Sequence, residues 1–220
     1  ATAIKLKQLC KEHDKDLKVG LLEKGPYIGA HILSGCILDP VVLDRLLPEW
    51  RADESIKKTR VRKCKFYISL SRNLPRIRSP LVPPPMKQAS RSPFGPESFI
   101  LSLGDLCAWL ASKAEKLGVE VMPGFGANEV LYNDKGSVAG VATKDVGVGR
   151  DGTRKPDYQQ GVEVTAPVTV LAEGSRGHLT EQVLTHYGLH DPRRVQTYGL
   201  GLKEVWRVNP KKHCPGLVVN

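Results

Sequence analysis

The chain has 220 residues, 40% of them hydrophobic, with 33 Lys and Arg against 23 Asp and Glu and a formal charge of +10. That length holds one large domain or two small ones, and no run approaches the ~18 consecutive apolar residues of a spanning helix. Five cysteines, at 10, 36, 64, 107 and 214, form no CxxC pair. They lend no support to a metal site built from local cysteines and read as reduced thiols. Ala1 to Cys10 reads as the end of a helix, and Lys11 to Lys18 as a charged connection. The chain does not open on Met, and its natural N-terminus is expected upstream.

Leu17, Val19, Leu21 and Leu22 form an apolar run of strand length, ended by Glu23 and then broken by Gly25, Pro26 and Gly29. A carboxylate at the tip of a parallel strand is how a dinucleotide fold grips a ribose, about 20 residues after a glycine-rich turn. Counting back that far reaches Ala1-Thr2-Ala3, where there is no glycine, so the turn is expected before Ala1. From Ile28 to Leu47 the chain holds ten large aliphatic residues, with Asp39-Pro40 as a helix start and Pro48 as its stop. Two readings stand here, a core-facing helix and a surface dipping into a membrane interface.

Between Ser55 and Pro96 there are eleven Lys and Arg and no Asp or Glu, which leaves 22 basic against 23 acidic residues elsewhere. Seven prolines from Pro75 onward deny this window regular structure beyond a strand in Lys65 to Leu70. Basic composition suggests nucleic acid or anionic lipid, yet only Phe66, Tyr67 and Phe94 are aromatic and no stacking pattern accompanies them. A solvated loop is the plain reading, and no nucleic-acid partner is expected.

Ser98 to Leu103 reads as a strand, and Gly104 to Leu117 as an amphipathic helix through Leu106, Leu110 and Ala114, stopped by Gly118. Val119 to Met122 is a strand, and Asn128–Tyr132 with Ser137–Thr143 a hairpin about Asn133-Asp134-Lys135-Gly136. Val146 to Gln160 reads as a polar excursion, Val162 to Glu173 as a strand, His178 to Tyr187 as a helix and Thr197 to Val208 as a last strand. No GxSxG and no His/Asp/Cys triad is present. His31, His178 and His186 read as loop or surface residues, and no catalytic or metal-ligating side chain is nominated.

Two strand-end turns remain, Glu23-Lys24-Gly25 and Glu173-Gly174-Ser175-Arg176-Gly177. The stretches LKVGLLEKGPYIGAHILSG, LGVEVMPGFGANEVLY, GVEVTAPVTVLAEGSRGHLTEQ and QTYGLGLKEVW resemble the electron transfer flavoprotein–ubiquinone oxidoreductase family, over nearly all of the chain except about 56–97. The resemblance implies an α/β chain. It would be an incomplete Rossmann-like FAD domain of the two-dinucleotide-binding type, joined to a β-rich α+β quinone domain. Segments would run 1–49, with a membrane-facing stretch at 28–49, then 50–103 as a basic connection, 104–190 as FAD domain again, and 191–220 opening the quinone domain. Glu23 would hold the adenosine ribose with Lys24 beside it, Ser34 and Gly35 would lie near the flavin, and Gly174 would form the second FAD-contacting turn.

The same resemblance implies electron transfer flavoprotein and ubiquinone as partners, at the matrix side of the inner mitochondrial membrane. It puts the quinone-binding Gly-Gly pair and the four cysteines of a [4Fe–4S] cluster beyond Asn220. One departure is MKQASRSPFGPES, where the family carries an Asn-His-Gly-Asn turn; an insertion and a reading-frame fault both account for it. Two other functions stay open: a sibling FAD-dependent reductase or hydroxylase of the geranylgeranyl-reductase kind, and a non-enzymatic basic RNA- or lipid-binding module.

Overall fold

The computed structural model describes residues 1–33, 35–65, 67–68, 77–78, 98–191, 193 and 197–219. The chain is mixed α/β and divides into two compact units. One comprises Ala1–Gly20, Ile28–Val121 and Lys203–Asn220, the other Leu21–Tyr27 and Met122–Leu202. Strand β1 (Val19–Glu23) pairs with β8 (Val119–Pro123).

The first unit opens with helix α1 (Thr2–Glu12), which turns Ile4 and Cys10 inward and packs against α3 (Leu103–Lys116). Helix α3 starts where Ser102 Oγ accepts from the Asp105 amide, and it stops at Gly118, whose φ of +83° favours glycine. It buries Leu106, Trp109 and Ala114, so the covered stripe runs through Trp109 rather than the expected Leu110. The turn after β1 meets this helix by close backbone approach. A Cβ on Gly29 would come within 2.8 Å of the Gly104 carbonyl oxygen, so only glycine fits.

Helix α2 (Val41–Leu46) comes after β2 (Cys36–Leu38), with Asp39 Oδ1 accepting from the Val41 amide. The aliphatic side chains of this stretch divide between the interior and the surface. Leu43 and Leu47 are buried, while Leu33, Val41 and Val42 are exposed, Val42 by 72%. A 3-10 turn at Pro48–Arg51 then buries Trp50 completely. Asp44 accepts from Arg51 and from Trp50 Nε1, and these bonds hold its carboxyl down at about 2. Asp53 ties the same segment to α3 through Trp109 Nε1 at 2.8 Å and Lys113 at 3.1 Å.

Strand β7 (Phe99–Leu101) is central in an antiparallel sheet, between β2 and β3 (Lys58–Arg60). Strand β4 (Lys63–Lys65) pairs in parallel with β14 (Leu217–Val219). Short strands β5 (Tyr67–Ile68) and β6 (Ile77–Arg78) pair antiparallel. Of the expected strand 65–70, Lys65 ends β4 and Tyr67–Ile68 form β5; Phe66, Ser69 and Leu70 lie outside the described residues, as does most of the Pro-rich window and MKQASRSPFGPES up to Glu97.

The second unit is built on the sheet β13-β10-β9, with β9 at Ala127–Tyr132, β10 at Val138–Thr143 and β13 at Glu163–Thr165. Its core is Val130, Val141 and Leu179, with Leu22, Val164, Leu171 and Val183 packed around them. Helix α4 (His178–His186) is fastened to β9 by Gln182, which accepts from the Val130 amide and donates to the Asn128 carbonyl. The polar excursion proves to be a second hairpin, β11 (Val146–Val148) with β12 (Arg154–Gln159). Asp145 staples its base by accepting from Tyr158 Oη and the Gly161 amide.

Two expected strands are corrected. Of 162–173 only Glu163–Thr165 is strand: Pro167 lacks an N–H, and Val168 and Val170 stand exposed. Residues 197–208 have no ladder partner among the described residues, so they form no strand. Leu200, Leu202, Val205 and Trp206 are more than three-quarters exposed there.

Candidate functional site

The first nominated residue, Glu23, closes β1 with its side chain half-buried. Its Oε1 accepts from the Gly25 amide at 2.5 Å, and Oε2 has no partner among the described residues. Gly25 is buried, and its carbonyl accepts from the Gly124 amide at 2.7 Å, so the turn after β1 is tied to the turn after β8. Lys24 is exposed, with its stem against Gly126. The local result is a carboxylate with one oxygen anchored by backbone and one available to a hydroxyl donor.

The second nominated turn lies in the same unit. Gly174–Arg176 is a short 3-10 turn, exposed throughout, and Gly174 has φ +80°. Glu173, just before it, behaves unlike Glu23. Its side chain folds onto the start of α4 and accepts from the Thr180 amide at 2.7 Å, Thr180 Oγ1 at 2.9 Å and the Leu179 amide at 3.3 Å. His178 Nδ1 lies 3.5 Å from the same carboxylate. Burial pushes the Glu173 carboxyl up, but the Thr180 and Leu179 hydrogen bonds together outweigh it and the net shift is down. A Cβ on Gly177 would overlap the Glu173 side chain, so glycine there keeps the carboxylate on the helix. Sequence reading missed this cap; the signal available was an acidic residue shortly before the helix start.

Gly35 belongs to the first unit. It lines an open cavity of about 850 Å³ together with Lys57, Ile100, Leu101, Lys203 and Trp206. Its carbonyl oxygen accepts from Lys203 Nζ. Sequence reading did not single out Lys203, although it sits in QTYGLGLKEVW. Ser34 lies outside the described residues. His31, His178 and His186 are all exposed, as read, and His186 also stacks on Tyr132 with ring centroids 3.9 Å apart. Among the described residues no three His, Cys, Asp or Glu side chains gather as a metal site.

Such a chain is a mixed α/β protein in which Glu23 closes a strand while the Gly174 turn follows irregular backbone. Its relatives say more. Over the whole chain it is 43% identical to an electron transfer flavoprotein-ubiquinone oxidoreductase, mitochondrial, from Dictyostelium discoideum, and 42% identical to the protein of the same name from Oryza sativa subsp. japonica. Over 99% of the chain it is 43% identical to that of Rattus norvegicus. The chain spans 34–36% of the length of these curated relatives. No family model matches it.

The chain is therefore similar along its whole length to mitochondrial electron transfer flavoprotein–ubiquinone oxidoreductases, and the resemblance read from its motifs is borne out. The similarity also runs through 56–97, which the motifs had left aside.

Proposed function

We propose that this chain is part of an FAD-dependent oxidoreductase that passes electrons from reduced electron transfer flavoprotein to ubiquinone. The observation that carries this reading is whole-chain identity above 40% to relatives whose name states both partners. The local geometry supports it. At Glu23 the free Oε2 at a strand tip fits a ribose hydroxyl donor. At Gly174 the exposed turn leaves backbone open to a ligand. Lys24 flanks the ribose site, and Ser34 and Gly35 are assigned to the flavin side.

Bound FAD supplies the redox chemistry; the chain's residues hold and orient it. Glu23 would accept from the ribose and so hold one end of the cofactor, and Lys203, which donates to the Gly35 carbonyl, would help to hold the flavin-side segment. A [4Fe–4S] cluster belongs to the reading of the whole protein, with ligands beyond Asn220. Under the same reading 1–49 and 104–190 form the FAD domain, 50–103 a basic connection and 191–220 the opening of the quinone domain. The protein works at the matrix side of the inner mitochondrial membrane. No helix among the described residues is long and apolar enough to cross a membrane. Leu33, Val41 and Val42, exposed and shortly before the basic window in sequence, are the side chains offered to the lipid surface.

The test uses the full-length protein. It should keep a stoichiometric flavin spectrum after desalting and reduce a ubiquinone analogue when given reduced electron transfer flavoprotein. Val41→Ser with Val42→Ser should lower vesicle binding and leave flavin content intact. A flavin-free protein that instead shifts single-stranded RNA in a salt-dependent way would replace this reading with that of a basic binding module.

A further inference from the structure

Arg176 ends the Gly174–Arg176 turn, and its guanidinium carbon lies 4.8 Å from the centroid of the Tyr198 ring. The two residues come from different motifs, AEGSRGHL and QTYGLGLKEVW, and this contact joins them within one compact unit. Both are exposed, Tyr198 by 51%. No carboxylate pairs with Arg176 among the described residues. The two acidic side chains nearest in sequence are already engaged. Glu173 is bonded to the Thr180 and Leu179 amides and to Thr180 Oγ1, and Glu181 Oε1 pairs with His190 Nε2 at 3.1 Å.

The turn therefore presents a cation whose neighbouring counter-charges are spent. A guanidinium held over an aromatic ring by cation–π attraction makes no hydrogen bond to it, so its N–H donors stay available to a ligand. A planar fork of donors in fixed orientation matches the oxygens of a phosphate, which it binds in bidentate fashion.

We infer that Arg176 pairs with the pyrophosphate of FAD, and that Tyr198 is the platform that fixes its plane. The inference rests on the reading of the Gly174 turn as an FAD contact. It assigns a charge partner to the cofactor's anionic middle, whereas Glu23 serves the neutral ribose. Lys24, also exposed and basic, flanks the Glu23 turn, and no aromatic ring lies against it among the described residues.

The experiment uses the full-length apoprotein titrated with FAD and, separately, with riboflavin, which has no phosphate, each followed by flavin fluorescence. Arg176→Ala should raise the FAD dissociation constant about 10- to 150-fold, the range of a lost charge-assisted hydrogen bond, and change riboflavin binding less than twofold. Arg176→Lys should lose less than Arg176→Ala, because the charge stays and the fork goes. Tyr198→Leu should weaken FAD several-fold, and the double variant should be no weaker than Arg176→Ala alone. Raising salt should weaken FAD binding more in the wild type than in Arg176→Ala. Apoprotein melting should be unchanged in all of these, since Arg176 is exposed.

Equal FAD affinity in wild type and Arg176→Ala would overturn the assignment while leaving the FAD reading in place. An equal loss for FAD and riboflavin would also overturn it, because the phosphate would then not be what Arg176 reads. A wild type that takes up no FAD at all would overturn the underlying reading and this one with it.

Discussion

Glu23 and Glu173 look alike in sequence, each an acidic residue with glycine close behind it where an apolar run gives way to a turn. They end in opposite states. Glu23 receives one N–H, from Gly25, after which Pro26 has none to offer and the chain turns away. Its second oxygen is left for something outside the chain. Glu173 precedes four residues of turn and then the start of α4, whose first amides have no partners of their own. The carboxylate closes on them, helped by the missing Cβ at Gly177. The backbone on the C-terminal side of an acidic residue, more than the residue itself, decides whether it serves a ligand or its own fold.

The sharpest way to break this contrast is to remove each carboxylate and ask which property fails. Glu23→Ala in the full-length protein should weaken FAD binding by about 1.5–3 kcal/mol, roughly 10- to 150-fold, with apoprotein stability unchanged. Glu120→Ala, on the exposed side of β8, is the control and should bind FAD as the wild type does. Fluorescence titration decides it, and matching affinities in the two variants would take Glu23 out of the site. Glu173→Ala should act the other way. Loss of a helix cap costs about 0.5–2 kcal/mol of apoprotein stability in urea. A drop in FAD affinity with no loss of stability would show that Glu173 serves the ligand after all.

Gly177→Ala sharpens the comparison by displacing the carboxylate without deleting it. It should cost about 1 kcal/mol, and the double variant with Glu173→Ala should lose little beyond either single change, since both remove one cap. The smallest effect is in the pH profile. The folded-state pKa of Glu173 is depressed, so its contribution is complete above the unfolded value of about 4.3 and is lost as pH falls through the folded value. The stability gap between wild type and Glu173→Gln should stay level from about pH 7 to 5 and then close in acid. His178, 3.5 Å away, favours the ionised carboxylate when protonated. A gap that widens on acidification would contradict the sign.

Much of this protein was set locally and could be read without coordinates. The Gly118 stop of α3, the β9–β10 hairpin about Asn133–Gly136 and the end of β1 at Glu23 depend on residues within a few positions of one another, whereas Ser102, read as strand, proves to cap α3. The family resemblance, too, was present in short strings of residues. What the sequence could not settle depends on partners distant in the chain. Periodicity placed an apolar stripe on α3 but could not say that Trp109 would be the edge covered, because that depends on Asp53, 56 residues away.

In 28–47 the count of aliphatics was plain, yet their division into buried Leu43 and Leu47 and exposed Val41 and Val42 comes from how α2 lies on its unit. Residues 197–208 have the composition of a strand, but a strand exists only with a neighbour to complete its hydrogen bonds, and none is present among the described residues. The grip of Lys203 on the Gly35 carbonyl crosses 168 positions, and the cation–π contact of Arg176 with Tyr198 joins two motifs that sequence alone showed only as separate strings. Local hydrogen bonds and steric limits travel with the sequence; burial, pairing and the fate of a charged side chain are decided by whatever the fold brings alongside.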